Sequence, residues 1–317
     1  MAVIGLDLGG TKLAGAIFSN EGQILHKEVR PLEKRQGKEV GELIKQLTSK
    51  FLEVADSENV KVSAIGVCIP GISWSKTGRV WAPNIPGWED YPLRDEINSA
   101  LNGRDIRVSI DSDRACYILG EAWQGAAVGC KDAIFLAVGT GIGAGIMIDG
   151  NILRGSNDIA GAIGWLALDR PFQEKYVSCG CFEYHASGEG IAKVAREILS
   201  SDKDYSGQLR QKDSSLITAH DVFEAYKSED PVAVKTLNLA VEFWGMTVAN
   251  LVSLFNPEKI IFGGGVFGPA VQFLDKIMLE ARKWAQPISI NQVKLGSSGL
   301  GGDAGLIGAG YLALRNL

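Results

Sequence analysis

The chain has 317 residues, enough for two domains of ordinary size, and its 32 Lys and Arg against 37 Asp and Glu residues give a formal net charge of −5. An acidic chain without a long basic run excludes a typical nucleic-acid-binding protein, and 46% hydrophobic with 22% charged residues excludes a largely disordered chain or a coiled coil. Glycine is enriched, with 39 residues, about 12% against a background of roughly 7%. The glycines are clustered rather than periodic, which indicates tight turns and close approach of the backbone to a ligand.

Compartment signals favour the cytoplasm. Asp7 interrupts the N-terminal segment before the apolar part of a signal peptide could form. The longest uncharged stretch, residues 133–148, contains four glycines and is shorter than the roughly 20 residues of a membrane-spanning helix. The five cysteines are unevenly spaced and do not form a disulfide framework. We therefore expect a protein of the reducing cytoplasm with no membrane partner.

The N-terminal third alternates short apolar runs with turn residues. Residues 2–18 predict two strands around a polar turn. Apolar positions at helical spacing predict a helix over residues 40–54. Further elements expected in this part are strands at 23–25, 62–69 and 108–110, and a helix at 115–126.

The opening pattern recurs in the second half. An apolar run at residues 134–138 is followed by a glycine-threonine turn and further strands, as the first run is. The turns Gly10-Thr11 and Gly139-Thr140 therefore indicate an internal duplication. The rest is mostly helical, with helices expected at 231–255 and 303–314 and a strand at 259–262.

The first glycine turn is a candidate phosphate site. Glycine N–H groups without a Cβ barrier can approach an anion, and a hydroxyl and a charge follow them. Asp7, at the end of the preceding strand, could hold a magnesium ion directly or through water. The alternative is an ordinary hairpin turn. The candidate residues are Gly9, Gly10, Thr11 and Lys12.

Two later glycine clusters could complete a nucleotide site. Gly139, Thr140 and Gly141 offer a second backbone nest for phosphate, or a packing turn. Gly264 and Gly265, directly after a predicted strand, could let an adenosine lie against the backbone.

Polar residues at the start of a predicted helix provide the acid–base candidates. Asp111, Ser112 and Asp113 follow a strand, so their side chains could simply cap the helix. In a cleft, a carboxylate there could instead accept a proton from a substrate hydroxyl as a general base. Cys179, Cys181 and neighbouring His185 form only a fragment of a zinc site, which requires four ligands.

Taken in order, these motifs resemble the ROK family of sugar kinases and repressors, over essentially the whole chain. The turn at residues 7–12 is similar to the family's first phosphate motif, and residues 139–145 to its second. Asp113 matches the catalytic aspartate, while Ser112 stands where an asparagine is usual. Late glycine motifs match at residues 263–265 and 302–309. The resemblance implies sugar-binding positions at Gly71, Asn84, Ser112, Asp113 and Glu183, and Trp165 is a further candidate.

The sequence departs from the family at the sugar site. The usual Glu-x-Gly-His segment is replaced by a stretch from Ala162 to Trp165, so the glutamate and histidine that contact the sugar near C1 and C2 are absent. The usual three-cysteine zinc motif is shortened to Cys179 and Cys181, and we expect no zinc. Trp165 could stack on a sugar face, fill space left by a smaller group, or be plain core. Plain glucose is thus disfavoured relative to an acetamido, glycosidically substituted, keto or cyclitol-like substrate.

The resemblance implies an α/β, two-domain actin/hexokinase-like (ribonuclease H-like) fold with a duplicated β-sheet core and an interdomain cleft. Residues 1–118 and 305–317 would form a sugar- and phosphate-binding domain, and residues 119–304 a nucleotide-binding domain. It also implies ATP, Mg²⁺ and a homodimer.

The leading interpretation is ATP-dependent phosphorylation of a sugar hydroxyl at C6, with Asp113 as the base. Alternatives are a non-catalytic sugar sensor or regulator, or a kinase for a non-sugar polyol or cyclitol. A repressor of the family would carry an additional N-terminal DNA-binding module, whereas here the first strand is expected to begin at Ala2.

Overall fold

The computed structural model describes the chain from Met1 to Leu317. It contains twelve strands and nine α-helices. The strands are β1 (Ala2–Leu8), β2 (Lys12–Ser19), β3 (Ile24–Pro31), β4 (Val62–Ile69), β5 (Ile72–Trp74), β6 (Arg79–Trp81), β7 (Arg107–Ser112), β8 (Ala133–Val138), β9 (Ile142–Ile148), β10 (Asn151–Ile152), β11 (Lys259–Gly263) and β12 (Lys294–Ser297). The helices are α1 (Lys38–Ser57), α2 (Leu93–Ser99), α3 (Asp113–Gln124), α4 (Cys181–Ala186), α5 (Gly188–Ser201), α6 (Ala219–Lys227), α7 (Pro231–Phe255), α8 (Leu274–Trp284) and α9 (Ala304–Arg315).

Contacts divide the chain into two compact units. The first comprises Met1–Gly129, Ile152–Ala160 and Gly299–Leu317. The second comprises Cys130–Asn151 and Gly161–Ser298. These limits differ from the boundaries expected at 118/119 and 304/305, because α3 stays wholly in the first unit and a short segment after β10 returns to it.

The first unit contains a five-stranded sheet in the order β3-β2-β1-β4-β7. β1 is antiparallel to β2 and parallel to β4, and β4 is parallel to β7. β1 is an almost uninterrupted apolar strand because both of its faces are covered. Ile4 and Leu6 pack in the core that contains α1, whereas Val3 packs with Leu306 and Ile307 of α9.

Glycines let α9 lie directly on this sheet. A Cβ on Gly66 would lie 1.9 Å from the carbonyl oxygen of Ala309, and one on Gly5 would lie 2.8 Å from the backbone nitrogen of Gly310. Any larger residue at these two strand positions would push the helix away. The late glycine motif serves helix packing too, since a Cβ on Gly308 of α9 would lie 1.8 Å from the Cys116 carbonyl oxygen of α3.

The second unit repeats the same sheet. Its order is β10-β9-β8-β11-β12, with β8 antiparallel to β9, parallel to β11, and β11 parallel to β12. β8 therefore corresponds to β1, β9 to β2, and β11 to β4. The expected duplicated α/β sheet core is confirmed.

Helix α7 is the main core helix of the second unit. It begins with Pro231 after the N-cap Asp230, whose carboxylate accepts from the backbone N–H groups of Val232 and Ala233 at 3.0 and 3.1 Å. It ends at Asn256 in the left-handed conformation. By length and hydropathy it is the one helix that could cross a membrane, but 61% of its most apolar window is buried, as is usual for the core helix of a globular protein.

Candidate active site

The turn between β1 and β2 is held by its own backbone and is open at its tip. The Gly9 N–H donates to the Lys12 carbonyl at 2.9 Å, and the Leu32 N–H donates to the Thr11 carbonyl at 2.8 Å. No atom lies within 4 Å of the position that a Cβ on Gly10 would take. Thr11 and Lys12 are exposed. The turn therefore offers accessible backbone and one cation, the arrangement that a phosphate requires.

Polar side chains lie in a row across the carboxyl ends of three parallel strands. Asp7 of β1 is paired with Cys68 of β4, and Cys68 with Asp111 of β7. This edge of a parallel sheet is where ligands bind in open α/β folds. Burial raises the pKa of Asp7, partly offset by a hydrogen bond from the Cys68 thiol and by the charge of Lys12. α9 covers Asp7 closely, since a Cβ on Gly305 would lie 2.7 Å from its Oδ2.

Ser112 and Asp113 begin α3 directly after β7. The Ser112 hydroxyl caps the helix by accepting from the Ala115 N–H at 3.3 Å, so the capping alternative describes Ser112. Asp113 Oδ1 accepts from the Arg114 N–H at 2.8 Å. Burial raises the pKa of Asp113 to about 6, against the lowering effect of the Arg114 charge, and Asp7 raises it further. A carboxylate with this pKa is ionised at neutral pH yet basic enough to accept a proton.

Asp111 is paired with an arginine that the sequence analysis did not single out. Its Oδ2 lies 2.6 Å from Arg154 Nη1, and its Oδ1 accepts from the Ser112 N–H at 2.8 Å. Arg154 belongs to the segment Ile152–Ala160, which is also attached at Asp158, whose Oδ2 accepts from the Ser75 N–H at 3.1 Å. No periodicity connects these positions, so only the folded chain reveals the pair.

The other two sugar positions of the first unit lie in loops. Gly71 has φ +108°, and a Cβ there would lie 2.1 Å from the Trp81 carbonyl oxygen, so only glycine fits against β6. Asn84 is exposed, in a turn closed by the hydrogen bond from the Ile85 N–H to the Ala82 carbonyl at 3.0 Å.

The turn between β8 and β9 is held by hydrogen bonds to the first residue of α5 and to Glu183 of α4. The Gly139 N–H donates to the Gly141 carbonyl at 2.9 Å, and the Gly188 N–H donates to the Gly139 carbonyl at 2.8 Å. The Ile142 N–H donates to Glu183 Oε2 at 2.6 Å. Glu183, expected on the sugar, thus contacts the second glycine turn, and burial raises its pKa. A Cβ on Gly141 would lie 2.7 Å from Glu183 Oε2, so this turn has no room for a side chain there.

Trp165 ends a short 3-10 turn, Ile163–Trp165, and its side chain is 58% exposed. The plain-core alternative for this residue is therefore wrong. The turn packs against Gly180, where a Cβ would lie 2.6 Å from the Trp165 Cα. The segment that departs from the family pattern thus presents an aromatic ring to solvent.

A cavity of about 680 Å³ lies within the second unit. Gly139, Thr140 and Gly265 contribute to its lining, whereas Gly141 and Gly264 do not. Gly264 instead has a structural role, since it has φ +90° and a Cβ there would lie 2.4 Å from the Val138 carbonyl oxygen. The remaining walls come from α5, α6 and the residues before α6, which the sequence analysis did not assign to the site.

The cysteine-histidine fragment is not arranged as a metal site. The buried His185 ring stacks on Phe243 at 4.3 Å, and its Nε2 lies 3.0 Å from the Tyr176 hydroxyl. Cys179 Sγ donates to the Gly180 carbonyl at 3.8 Å. No group of three or more His, Cys, Asp or Glu side chains in the chain is placed to hold a metal ion. A lone Asp7 carboxylate still fits magnesium, which proteins bind through one or two carboxylates together with substrate phosphates.

Comparison with known proteins gives matches over the whole chain. The ROK family profile matches residues 3–316. A glucokinase of Halalkalibacterium halodurans is 34% identical over 319 residues, covering 98% of this chain and 94% of the relative. The ROK hexokinase of Thermus thermophilus superposes with a TM-score of 0.82 at 29% identity, covering 100% of this chain and 99% of that one.

A second solved structure carries ligands. A ROK family glucokinase from Streptomyces griseus, in complex with glucose and AMPPNP, superposes with a TM-score of 0.75 at 28% identity, covering 99% of this chain and 100% of that one. The expected actin/hexokinase-like α/β fold is confirmed by these likenesses. With a family match from residue 3 to residue 316 and a relative at 34% identity, the chain belongs to the ROK family.

Proposed function

We propose that this protein is an ATP-dependent sugar kinase. The observation that carries the proposal is Asp113, a half-buried carboxylate at the start of α3 whose pKa is raised to about 6. It lies beyond the carboxyl ends of parallel strands, near the open glycine turn that begins after Asp7. The named sugar kinases among its relatives support the same reaction.

In the proposed reaction, Asp113 accepts the proton of a sugar hydroxyl, the primary one at C6 of a hexose-type substrate. The hydroxyl oxygen then forms a bond to the γ-phosphorus while the bond from that phosphorus to the bridging oxygen breaks, and ADP leaves. Most of the catalysis is positioning and electrostatic stabilisation, since phosphoryl transfer needs little covalent help from the protein.

The phosphates of the donor would lie against backbone N–H groups of the two glycine turns. The first turn offers the N–H groups of Gly10 and Thr11, with Lys12 as the cation, and the second offers those of Thr140 and Gly141. Gly9 and Gly139 close the two turns with their own N–H groups and leave space for the phosphate because they have no side chain. Mg²⁺ held near Asp7 with the nucleotide would neutralise phosphate charge. The cavity beside Gly139 and Gly265 is large enough for a nucleoside and has apolar walls, including Val266 and Phe223.

The sugar would be bound by Gly71, Asn84 and Ser112 together with Trp165. The exposed ring of Trp165 supports stacking on an apolar sugar face. Because Ala162 and Trp165 replace the polar residues usual in the family, we propose a substituted or modified sugar rather than plain glucose. Glu183 Oε2 accepts from the Ile142 N–H, which leaves Oε1 to accept from a sugar hydroxyl.

A non-catalytic sugar sensor, a regulator of the same family, is the competing function, and a kinase for a non-sugar polyol or cyclitol is another. The presence of Asp7, Lys12 and Asp113 favours the kinase, since a sensor has no need of a base with a raised pKa. A cytoplasmic homodimer belongs to the same proposal.

A substrate screen tests the proposed kinase activity. ADP release should be measured with ATP and Mg²⁺ over hexoses, amino sugars, N-acetylated sugars, disaccharides and cyclitols. The proposal expects sugar-dependent ADP release with at least one modified sugar exceeding glucose in kcat/KM. No ADP release across the panel, with sugar binding still measurable by calorimetry, would favour the sensor.

A further inference from the structure

Tyr117 lies on the same face of α3 as Asp113, one helical turn further along the chain. Residues four apart on a helix are neighbours on its surface, with about 5–6 Å between their Cβ atoms. A side chain on a helix also points back toward the N-terminus, so that it covers the turn before its own Cα. Because Asp113 is the first residue of α3, the turn that Tyr117 covers is the one that carries the Asp113 carboxylate.

The electrostatic neighbours of the Tyr117 phenol are the polar residues of the same site. Burial raises the pKa of Tyr117, and among the surrounding groups Asp113 raises it most, followed by Cys68 and Asp7. Cys68 and Asp7 are paired residues at the carboxyl ends of β4 and β1. The Tyr117 side chain is therefore directed toward the row of polar side chains at this edge of the sheet.

The residue before Tyr117, also about one turn beyond Asp113, faces the core instead. Cys116 is fully buried and packs with Ala309 and Leu312 of α9. Tyr117 is half-buried, as is Asp113. An aromatic ring over one side of a half-buried carboxylate leaves the other side open to a substrate.

The raised pKa of Asp113 requires such a cover. The N-terminus of a helix stabilises a carboxylate in its charged form and so lowers its pKa. The Arg114 charge and the Arg114 N–H, which donates to Asp113 Oδ1 at 2.8 Å, act in the same direction. The pKa is nevertheless raised to about 6, with burial as the largest cause. The other charged groups at this edge are Asp7, which raises the pKa less than burial does, and Asp111, which is paired with Arg154.

We propose that Tyr117 is a positioning residue whose ring keeps water away from the Asp113 carboxylate and so makes that carboxylate a stronger acceptor for the proton of the sugar hydroxyl. The inference rests on the proposed function, because it takes Asp113 as the base. It adds to that function the residue that gives the base its strength. The ring rather than the hydroxyl group excludes the water, so a phenylalanine should serve equally well.

The test compares Tyr117→Ala and Tyr117→Phe with the unchanged protein. The titration of the Asp113 carboxyl group is followed by carboxyl ¹³C NMR on protein labelled in its aspartates, with Asp113→Asn to identify the signal. Steady-state kinetics give kcat and KM for sugar and ATP, and thermal unfolding shows whether each variant is folded. Tyr117→Gln, which replaces the ring by a polar side chain with high helix propensity, is the second variant should Tyr117→Ala unfold.

Tyr311→Ala is the matched control. Tyr311 is a half-buried tyrosine of α9, and its ring is stacked on that of Trp123 of α3 with 5.4 Å between the centroids. Trp123 lies ten residues beyond Asp113, or about 15 Å along the helix axis. The control therefore removes the same side chain from the packing of α3 without uncovering the carboxylate.

The proposal expects the Asp113 titration in Tyr117→Ala and Tyr117→Gln to move to lower pH by about one pH unit, because the carboxylate gains water. Their kcat should fall about three- to tenfold, since a weaker base accepts the proton more slowly, while each KM changes less than about threefold. Tyr117→Phe and Tyr311→Ala should behave as the unchanged protein does.

An Asp113 titration that is the same without the Tyr117 ring would overturn the proposal. An equal shift in Tyr117→Phe would overturn it too, since the hydroxyl group would then be responsible, and an equal shift in Tyr311→Ala would mean that loosened packing of α3 is the cause. Absence of sugar-dependent ADP release from the unchanged protein would instead contradict the proposed function, and the NMR titration would still decide whether Tyr117 covers Asp113.

Discussion

The β1–β2 hairpin of the first unit and the β8–β9 hairpin of the second have the same strand order but different chemistry. Both turns close with a glycine N–H that donates across the turn at 2.9 Å, from Gly9 in the first and Gly139 in the second. The side chains around them differ. Ala137 occupies the position of Asp7 before the turn, and Gly141 that of Lys12 after it.

The difference shows which features of the duplication are shared and which belong to one half. Backbone N–H groups suitable for phosphate are present in both units. The carboxylate that could accept a proton is present only in the first, at the start of α3, where the second unit has no counterpart in its sheet. The second unit has instead a half-buried carboxylate, Glu183, that accepts a hydrogen bond from the Ile142 N–H at the end of its turn.

The largest expected effect comes from the carboxylate unique to the first unit. Asp113→Asn should lower kcat about 10³- to 10⁴-fold, because the amide cannot accept the hydroxyl proton. Sugar and nucleotide affinities should change less than about threefold, since the amide is isosteric. Steady-state ADP release and calorimetry measure these, with exposed Asp105→Asn as the control. Turnover by Asp113→Asn at the rate of the unchanged protein would remove Asp113 from the role of base.

The second prediction concerns the ion pair beside that carboxylate. Arg154→Met should lower the free energy of unfolding at pH 7 by about 2–3 kcal/mol, since it leaves Asp111 buried without its partner. The figure is below that of a fully buried pair because the Arg154 side chain is 32% exposed. Denaturant unfolding measures it.

The ion pair also predicts that the stability of Arg154→Met depends on pH and that a second substitution compensates part of its loss. Burial already raises the pKa of Asp111, so stability in Arg154→Met is retained while the carboxyl is protonated and is lost as pH rises through its pKa. Adding Asp111→Asn should restore part of the loss. Arg104→Met, which breaks an exposed pair with Asp56, should cost at most about 1 kcal/mol. Simple additivity of Arg154→Met and Asp111→Asn would show that the pair is not coupled.

The third prediction tests the hydrogen bond from the Ile142 N–H to Glu183, which holds the turn between β8 and β9. Glu183→Ala should raise KM for ATP about 10-fold, because the Ile142 N–H loses its acceptor and the turn loosens. Glu183→Gln keeps an acceptor oxygen and should change KM for ATP less than about threefold. If Glu183 binds the sugar as the family resemblance implies, both variants will instead raise KM for the sugar and leave KM for ATP unchanged.

The smallest expected effect is the decrease of kcat/KM at acidic pH. Because Asp113 must be ionised to act as a base and its pKa is raised to about 6, kcat/KM should be constant above pH 7 and fall about tenfold per pH unit below about pH 6. A profile that stays flat down to pH 5 would mean that no group with this pKa controls the reaction.

The sequence allowed the strands with strong apolar patterns to be predicted closely, and the exposed or polar ends of strands less well. Residues 62–69 match β4 at both ends. The strand expected at 23–25 runs on to Pro31. No residue of this edge strand is buried, so it lacks the apolar pattern by which the other strands were predicted. β7 extends through Asp111 and Ser112, which pair with Cys68 and Ile69 in the sheet.

The site could be predicted where it lies in local motifs, and not where it depends on distant contacts. Short sequence patterns indicate the glycine turns, and the family resemblance selects Asp113 among the polar residues before α3. Arg154 meets Asp111 across 43 positions, and Glu183 meets Ile142 across 41. Such pairs are fixed by sheet topology, so no spacing in the sequence indicates them. The walls of the cavity are hidden for the same reason, since α5 and α6 converge only in the fold.

Glycine-to-alanine substitutions in the two turns test most directly whether both halves bind the phosphates of one donor. Neither Gly10 nor Gly139 has a positive φ or an atom within 4 Å of the position that a Cβ would take, so alanine fits the fold and any effect reports ligand approach. Gly296 of β12 has the same freedom and lies outside the cavity, which makes Gly296→Ala the control. The account predicts that Gly10→Ala and Gly139→Ala each weaken binding of a non-hydrolysable ATP analogue by about 10-fold or more with unchanged thermal stability, and that Gly296→Ala does not. Unchanged affinity in both turn variants would contradict it.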